Sequence, residues 1–488
     1  MLHLFYDNFG AQNANLKTRA MSRFNTSRVV ASPPPQPPQV RDALPVSAVS
    51  QSVPVEAENA AILLPEPTVS ETGFLQAIGF GMLCVFVLSG YANEFAMRYF
   101  HIKAYISTTL WVLLPLLLVL SGNLLRGLRD ISGRLWLLFL AWVVLAVPFS
   151  VWKGGSVAML LSYVPHGWIQ LFYYAGFMVS FRQVRGFMPF LIASNCLLLL
   201  DCILFGSMAG GRFEIPESVF FSNANDLALQ LLIAVTQFMY LMYQREIWKQ
   251  VVGAAGMLGS LIFMFKTGSR GAFLATVVLG IVTLVFGKNR SRLALIGVPV
   301  ALIALLIVPS AVFHRLTLIE LQSSVAATGD YQDDSAIASQ MQRILLFRQS
   351  VRLALTHPLF GVGPGQFAVA ASGDSAKQGK RPTWLGTHNS YTEVASECGI
   401  PALVLYVSVI AITLISNFRI FRRSAGIPRY RDLSALAFCF FCSTLAYAIC
   451  TFFFHVAYSS YLPALAGMSV ALRLCTNPVL WRRSPRWM

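Results

Sequence analysis

Charge is what this chain has least of. Only 12% of its 488 residues are Asp, Glu, Lys or Arg, and 56% are hydrophobic. The charged share is about half that of an ordinary soluble domain, which excludes a typical cytosolic enzyme. Acids are scarcer than bases, 21 against 37, leaving a formal net charge of +16. That excess does not argue for nucleic acid, because the cations stand in short clusters between apolar runs, where orientation in a bilayer accounts for them. Cysteine is sparse as well. All eight lie within or at the end of an apolar run, so no disulfide framework is expected even on an oxidising side of a membrane. Cys439 and Cys442 form a C-x-x-C inside one such run with no second pair, which reads as packing and not as a metal site. The first 70 residues contain no long apolar segment; no cleavable signal peptide is expected, and the first span is expected to direct insertion. No internal repeat is visible.

What the chain does have is apolar stretches of about twenty residues, recurring from Phe74 to Leu474 and each long enough to cross a hydrocarbon core as a helix. The expected fold is an all-α integral membrane protein with about twelve transmembrane helices and one large periplasmic loop that itself contains helices. Spans are expected near 74–93, 104–121, 135–150, 157–181, 187–207, 222–243, 250–265, 271–286, 293–310, 391–416, 433–454 and 457–474. The domains follow: a disordered cytoplasmic tail over 1–72, helices one to nine over 73–310, the loop over 311–390, helices ten to twelve over 391–475, and a basic cytoplasmic tail over 476–488. With the N-terminus inside, the inward loops and tail collect 19 cations against 6 in the short outward loops, which orients both termini to the cytoplasm. The proline-rich run Ser32 to Pro38 reads as a tether. Within the large loop, Ser339 to Thr356 reads as an amphipathic helix with Ile344, Phe347, Val351 and Leu355 on its apolar stripe, ended by His357-Pro358. Gly361, Gly363 and Gly365 then give a tight, irregular turn.

Four polar clusters fall on the outward side. Phe221 to Asp226 stands at the mouth of the sixth span; an N-cap would explain one of its polar residues, leaving Asn223 and Asn225 together as a candidate binding pair. Lys266 to Gly271 is a tight turn between spans. Lys266 reads as a snorkelling flank, whereas Arg270, set between Ser269 and Gly271, offers a guanidinium fork beside exposed amides that suits a phosphate. Arg343, Arg348 and Arg352 lie on the loop helix, and by spacing alone they read as a solvated face. The last cluster is His388-Asn389-Ser390-Tyr391 with Glu393 and Glu397, where the loop re-enters the membrane. A histidine there can take and return a proton near neutral pH, and the two glutamates share a helix face where burial is costly without a partner. His166 and His455 have no such company and read as packing or helix-contact residues. Asp330, Asp333 and Asp334 complete no recognisable ligand set and read as solvated loop acids; no metal site is expected.

Pro358-Leu359-Phe360-Gly361-Val362-Gly363, then His388-Asn389-Ser390-Tyr391 and Glu397-Cys398-Gly399-Ile400, with Ser269-Arg270-Gly271 and Phe221 to Asn225 upstream, resemble the O-antigen ligase and polymerase superfamily of bacterial envelope proteins. The ordered motifs cover roughly 220 to 400. Ala224 stands where the family often has proline between the asparagines, and the N-terminal tail has no counterpart. The resemblance implies a multi-pass protein of the bacterial inner membrane. Its implied activity is a periplasmic-face glycosyltransferase that moves a glycan from undecaprenyl diphosphate to a hydroxyl acceptor, with inversion and without nucleotide sugar, metal or other cofactor. The acceptor is a lipid A core in ligases, a growing polysaccharide in polymerases and a protein in a third branch. Carried over residue by residue, the resemblance matches Arg270 and Arg343 to the arginines that engage the diphosphate and His388 to the essential histidine; it lifts Arg343 above its spacing.

Displacing a diphosphate leaves negative charge that guanidinium groups stabilise, and the attacking hydroxyl needs a base, which His388 supplies. Asn389 and Glu397 would orient the histidine or the acceptor, and Asn223, Asn225 and Ser269 would contact substrate. The expected partners are the lipid-linked donor, the acceptor and membrane lipids, with no nucleic acid. The readings that compete are a polymerase of the same superfamily, a lipid-linked oligosaccharide flippase or exporter, and a receptor that binds glycan without turnover.

Overall fold

The computed structural model describes residues 73–102, 106–209, 211–218, 220–221, 223–287, 331–377, 379 and 384–480, with backbone only for 331–340 and 477–480. The expected span at 293–310, Asp330, the N-terminal tail and residues 481–488 of the C-terminal tail lie outside the described residues, while residues 476–480, expected in that tail, continue the last helix. The described chain is almost entirely helical: α1 Phe74–Tyr99, α2 Ile106–Leu120, α3 Leu124–Leu128, α4 Ile131–Ala146, α5 Lys153–Tyr163, α6 Gln170–Phe177, α7 Phe181–Phe205, α8 Ala224–Met242, α9 Ile247–Lys266, α10 Arg270–Phe286, α11 Tyr331–Thr356, α12 Phe367–Lys377, α13 Ser390–Ser424, α14 Arg431–Cys450 and α15 Tyr461–Leu480. A two-stranded hairpin, β1 Ser207–Ala209 and β2 Arg212–Glu214, pairs Met208 with Phe213 between α7 and α8. Among the described residues seven helices are long and apolar enough to cross a membrane, in α1, α4, α7, α8, α9, α13 and α14; α2, α10 and α15 carry shorter apolar stretches.

Burial sorts these helices. α8 is the least hydropathic of the seven and the most buried, with 89% of its apolar window inside the protein, followed by α14 at 83%, whereas α1 and α9 bury 28%. The order has a physical cause: Asn225, Asp226, Gln230, Thr236 and Gln237 would be costly against lipid, so the helix that carries them is enclosed by α7, α9 and α14. Thr236 shares a hydrogen bond with Ser443 of α14, and the Asn195 side chain of α7 donates to Gln237. α9 comes close to α8 because Gly253 and Gly256 face it; a Cβ at Gly256 would stand 2.4 Å from the Phe238 ring.

Two expectations change. The run at 157–181 is not one span: α5 ends at Tyr163, a wide π-turn over Val164–Trp168 follows, and α6 runs only to Phe177. Pro165 lies in that turn, where it has no N–H to give to a continuous helix. The loop helix starts at Tyr331 and turns a different face inward from the one expected. Leu346, Ser350, Leu353 and Ala354 are buried, while Ile344, Phe347 and Leu355 are exposed. α11 has apolar residues on more than one side, and its packing on α12 and α13 selects the Leu346–Leu353 side. There Leu346, Leu353, Val362, Phe367 and Ala371 make a small core separate from that of the bundle.

Candidate active site

α13 is one helix by hydrogen bonding but two by geometry. Gly399 interrupts it at φ 84° and ψ 174°, a left-handed value open to glycine, and Pro401 starts the second part. The glycine turn expected at 361–365 docks into this break. Ile400 N donates to Pro358 O at 2.8 Å, Val362 N to Ser396 O at 2.9 Å, and Gly363 N to Glu397 O at 2.9 Å. The Trp142 indole of α4 donates to Cys398 O at 3.0 Å. A Cβ on Gly399 would lie 2.0 Å from Leu359 O, and one on Gly361 2.3 Å from the Glu397 backbone, so the turn and the helix approach at glycine distance.

Glu397 closes this joint. It is buried, and its two carboxylate oxygens accept from Gly365 N at 2.7 Å and Phe367 N at 3.1 Å, capping α12. Glu393, one turn earlier, accepts from Ala457 N at 3.1 Å. Ser390 donates through Oγ to Phe454 O at 3.0 Å, accepts from Val456 N at 2.8 Å, and donates its own N–H to Thr451 O at 2.8 Å. The first turns of α13 thus clasp the 451–457 loop on one side and the glycine turn on the other.

His388 sits just before this clasp. Its φ is 53°, a left-handed conformation that costs a non-glycine residue about 1–3 kcal/mol and persists only when its surroundings enforce it. Here Thr387 donates its hydroxyl to Asn389 O at 2.9 Å, and the Asn389 side chain accepts from Tyr391 N and Thr392 N as the N-cap of α13. The half-buried His388 ring meets the His455 ring edge to face, with centroids 5.2 Å apart. Burial, then His455, then the Arg343 guanidinium push the His388 pKa down to about 4. Burial lowers that of His455 too. Gly386 makes room for the second ring: a Cβ there would stand 2.5 Å from His455 Nε2.

The arginine turn approaches the same loop. Arg270 is the first residue of α10 and half-buried, Ser269 is its buried N-cap, and Gly271 faces Phe453, whose ring would be 2.6 Å from a Cβ. Asn223 caps α8, its Oδ1 accepting from Asn225 N at 2.9 Å and Asp226 N at 3.2 Å. Arg212, on the hairpin, donates to the Asn225 side chain at 2.6 Å and to Thr267 O at 2.8 Å, tying the asparagine cluster to the arginine turn. Beside them a cavity of about 370 Å3 is lined by, among others, Trp111, His166, Asp226, Gln230, Ser459 and Tyr461.

The fold therefore puts Arg343 in electrostatic reach of His388, and Arg270 next to a residue that packs on the loop of His455. Asn223, Asn389 and Glu397 spend their side-chain oxygens on backbone amides. Three residues were given no part in the site by the sequence reading, which took His455 as a packing residue. His455 has no polar neighbour in sequence, and its contact with His388 crosses more than sixty residues. Arg212 looks like any interfacial cation, and Gly386 like any loop glycine; only its place two residues before His388 was a hint.

Residues 255–407 match the family model described as O-antigen ligase. The matched stretch contains Arg270, Arg343, His388 and Glu397; Arg212, Asn223, Asn225 and His455 lie outside it. No curated protein matches the chain.

Proposed function

We propose that this chain, a member of the O-antigen ligase family, transfers a glycan from undecaprenyl diphosphate to a hydroxyl acceptor at the periplasmic face of the bacterial inner membrane, with both termini in the cytoplasm. The observation that carries the reading is the His388–His455–Arg343 arrangement: an imidazole held by a strained backbone and kept uncharged by burial and by a nearby guanidinium. A neutral imidazole is the form of histidine that accepts a proton.

In the proposed step the acceptor oxygen attacks the anomeric carbon as its proton passes to His388. The carbon–oxygen bond to the diphosphate breaks, and its electron pair leaves on that group. Attack from the side opposite the leaving group inverts the anomeric centre. Arg343 and Arg270 meet the charge that develops on the diphosphate. Bound diphosphate also offsets the field of Arg343 at His388, which raises the proton affinity of the base when substrate is present. Glu393, Glu397 and Asn389 act on this reading as positioning residues.

The family's name favours a ligase with a lipid A core acceptor, and a polymerase that extends a polysaccharide uses the same step. The test is the purified full chain with undecaprenyl-diphosphate-linked glycan and each acceptor in turn, without nucleotide. Release of undecaprenyl diphosphate with a new glycosidic bond is the expected result, and the acceptor that is consumed tells ligase from polymerase. Relocation of intact donor across a vesicle membrane, with no bond cleaved, would replace this reading by a flippase.

A further inference from the structure

The end of α13 remote from His388 carries a different feature. From Gly399 to Phe421 the helix advances roughly 30 Å, about one hydrocarbon thickness. There the ends of α8 and α13 and the start of α14 enclose a pocket of about 280 Å3 lined by Tyr243, Arg245, Phe421, Pro428, Arg431 and Ser434, among others. A second hollow of about 260 Å3 shares Tyr243, Arg245 and Arg431 and adds Glu246, Arg429 and Asp432 to the wall.

The two acids do not balance the three arginines. Asp432 is taken by Arg185 at 2.9 Å and Glu246 by Lys249 at 2.9 Å. Arg431 donates to the Tyr243 carbonyl, which carries no net charge, and among the described residues no carboxylate pairs with Arg245. The hollow is therefore net cationic, and guanidinium forks match the planar, bidentate geometry of phosphate oxygens. Residues that flank its lining in sequence are apolar and exposed. Ile247, Trp248 and Val251, on the adjoining first turns of α9, are 77, 64 and 61% exposed, and Ile427 beside Pro428 is 41% exposed. The pocket is below the ~300–1,000 Å3 of drug-sized sites, so it can hold a head group but not the chains attached to it.

We propose that this pocket binds the phosphate head group of an anionic membrane lipid, with Arg245 and Arg431 on the phosphate and the acyl chains along the exposed face of α9. Cation and apolar wall belong to one amphipathic ligand, which favours a lipid over free phosphate. The inference is independent of the transfer reading and uses none of its residues.

The test is thermal unfolding of the full chain, stripped of phospholipid in dodecyl maltoside and titrated with dioctanoyl phosphatidylglycerol. Dioctanoylglycerol and inorganic phosphate, at the same concentrations, are the comparison probes. A saturable rise in the midpoint with the phospholipid alone is expected. Arg245→Gln, at an exposed side chain without a carboxylate partner, should weaken the apparent affinity about tenfold while leaving the lipid-free midpoint in place. Arg419→Gln, the same charge change on α13 but outside the pocket, should leave the affinity unchanged. An equal response to dioctanoylglycerol, an equal response to inorganic phosphate, or an unaltered affinity in Arg245→Gln would each overturn the proposal.

Discussion

The two parts of α13 on either side of Gly399 share one label and little else. Ser390 to Cys398 is short and polar on its working side; Ser390, Ser396 and Glu397 are buried, and it holds two other segments by side-chain hydrogen bonds to their backbone. Pro401 to Ser424 is apolar, leaves Val404, Val407 and Ile415 exposed, and packs on α4 and α14. The first part is a bracket and the second a membrane anchor. The break between them lets the bracket follow the loops without disturbing the anchor. Mutations in the two parts should therefore fail in different ways.

The largest effect is expected at the residue the bracket presents. His388→Ala should lower the transfer rate by about 10²–10⁴-fold, the usual range for a lost general base. Membrane insertion and the melting midpoint should stay near wild type, since alanine keeps a Cβ and so leaves the cost of the left-handed backbone in place, and the change breaks no bond of the clasp. Arg343→Ala comes next, at about 10²–10³-fold in kcat if it meets diphosphate charge in the transition state.

How far this was legible in the sequence depends on the range of the interaction involved. Six of the expected spans coincide with described helices to within four residues at each end, and four more overlap one, because a run of apolar side chains is a local signal. The glycine turn and the polar residues before α13 were also local. The inward side of α11 was not, because apolar residues occur around that helix and only its docking on α12 and α13 decides between them. The same limit explains the roles of Glu397 and Asn389. Sequence reasoning saw polar groups at costly positions and expected them to orient the histidine or the acceptor; that they do so through amides of Gly365 and Phe367, and of Tyr391 and Thr392, depends on contacts between segments or on cap geometry that the order of residues does not print. His455 was read as packing alone for the converse reason: its partner, His388, lies in another segment.

Middle-sized effects should come from the bracket itself. Glu397→Ala leaves the exposed Gly365 amide and the buried Phe367 amide without an acceptor, at about 1–3 kcal/mol for the buried group. It should open the 361–367 turn to proteolysis and lower transfer, and a turn as protected in the variant as in wild type would argue against the bracket. Gly386→Ala places a methyl 2.5 Å from the His455 ring and should move that imidazole away from His388; a rate loss of less than about tenfold is expected, seen in kcat more than in KM. The smallest effect belongs to the anchor. Val404→Ala, at a side chain 57% exposed within the protein, should leave both transfer and melting within experimental scatter.

The most direct measurement is the acid limb of kcat/KM for transfer by the purified chain, in wild type and in Arg343→Gln. His388 is held near pKa 4, against an ordinary value of 6.5, by burial, His455 and Arg343. The free enzyme should therefore keep its base unprotonated down to about pH 4, and removing the guanidinium should move the limb upward. A limb near pH 6.5 in wild type, or one that stays in place when Arg343 loses its charge, would contradict a His388 whose proton affinity is held down by burial, His455 and Arg343.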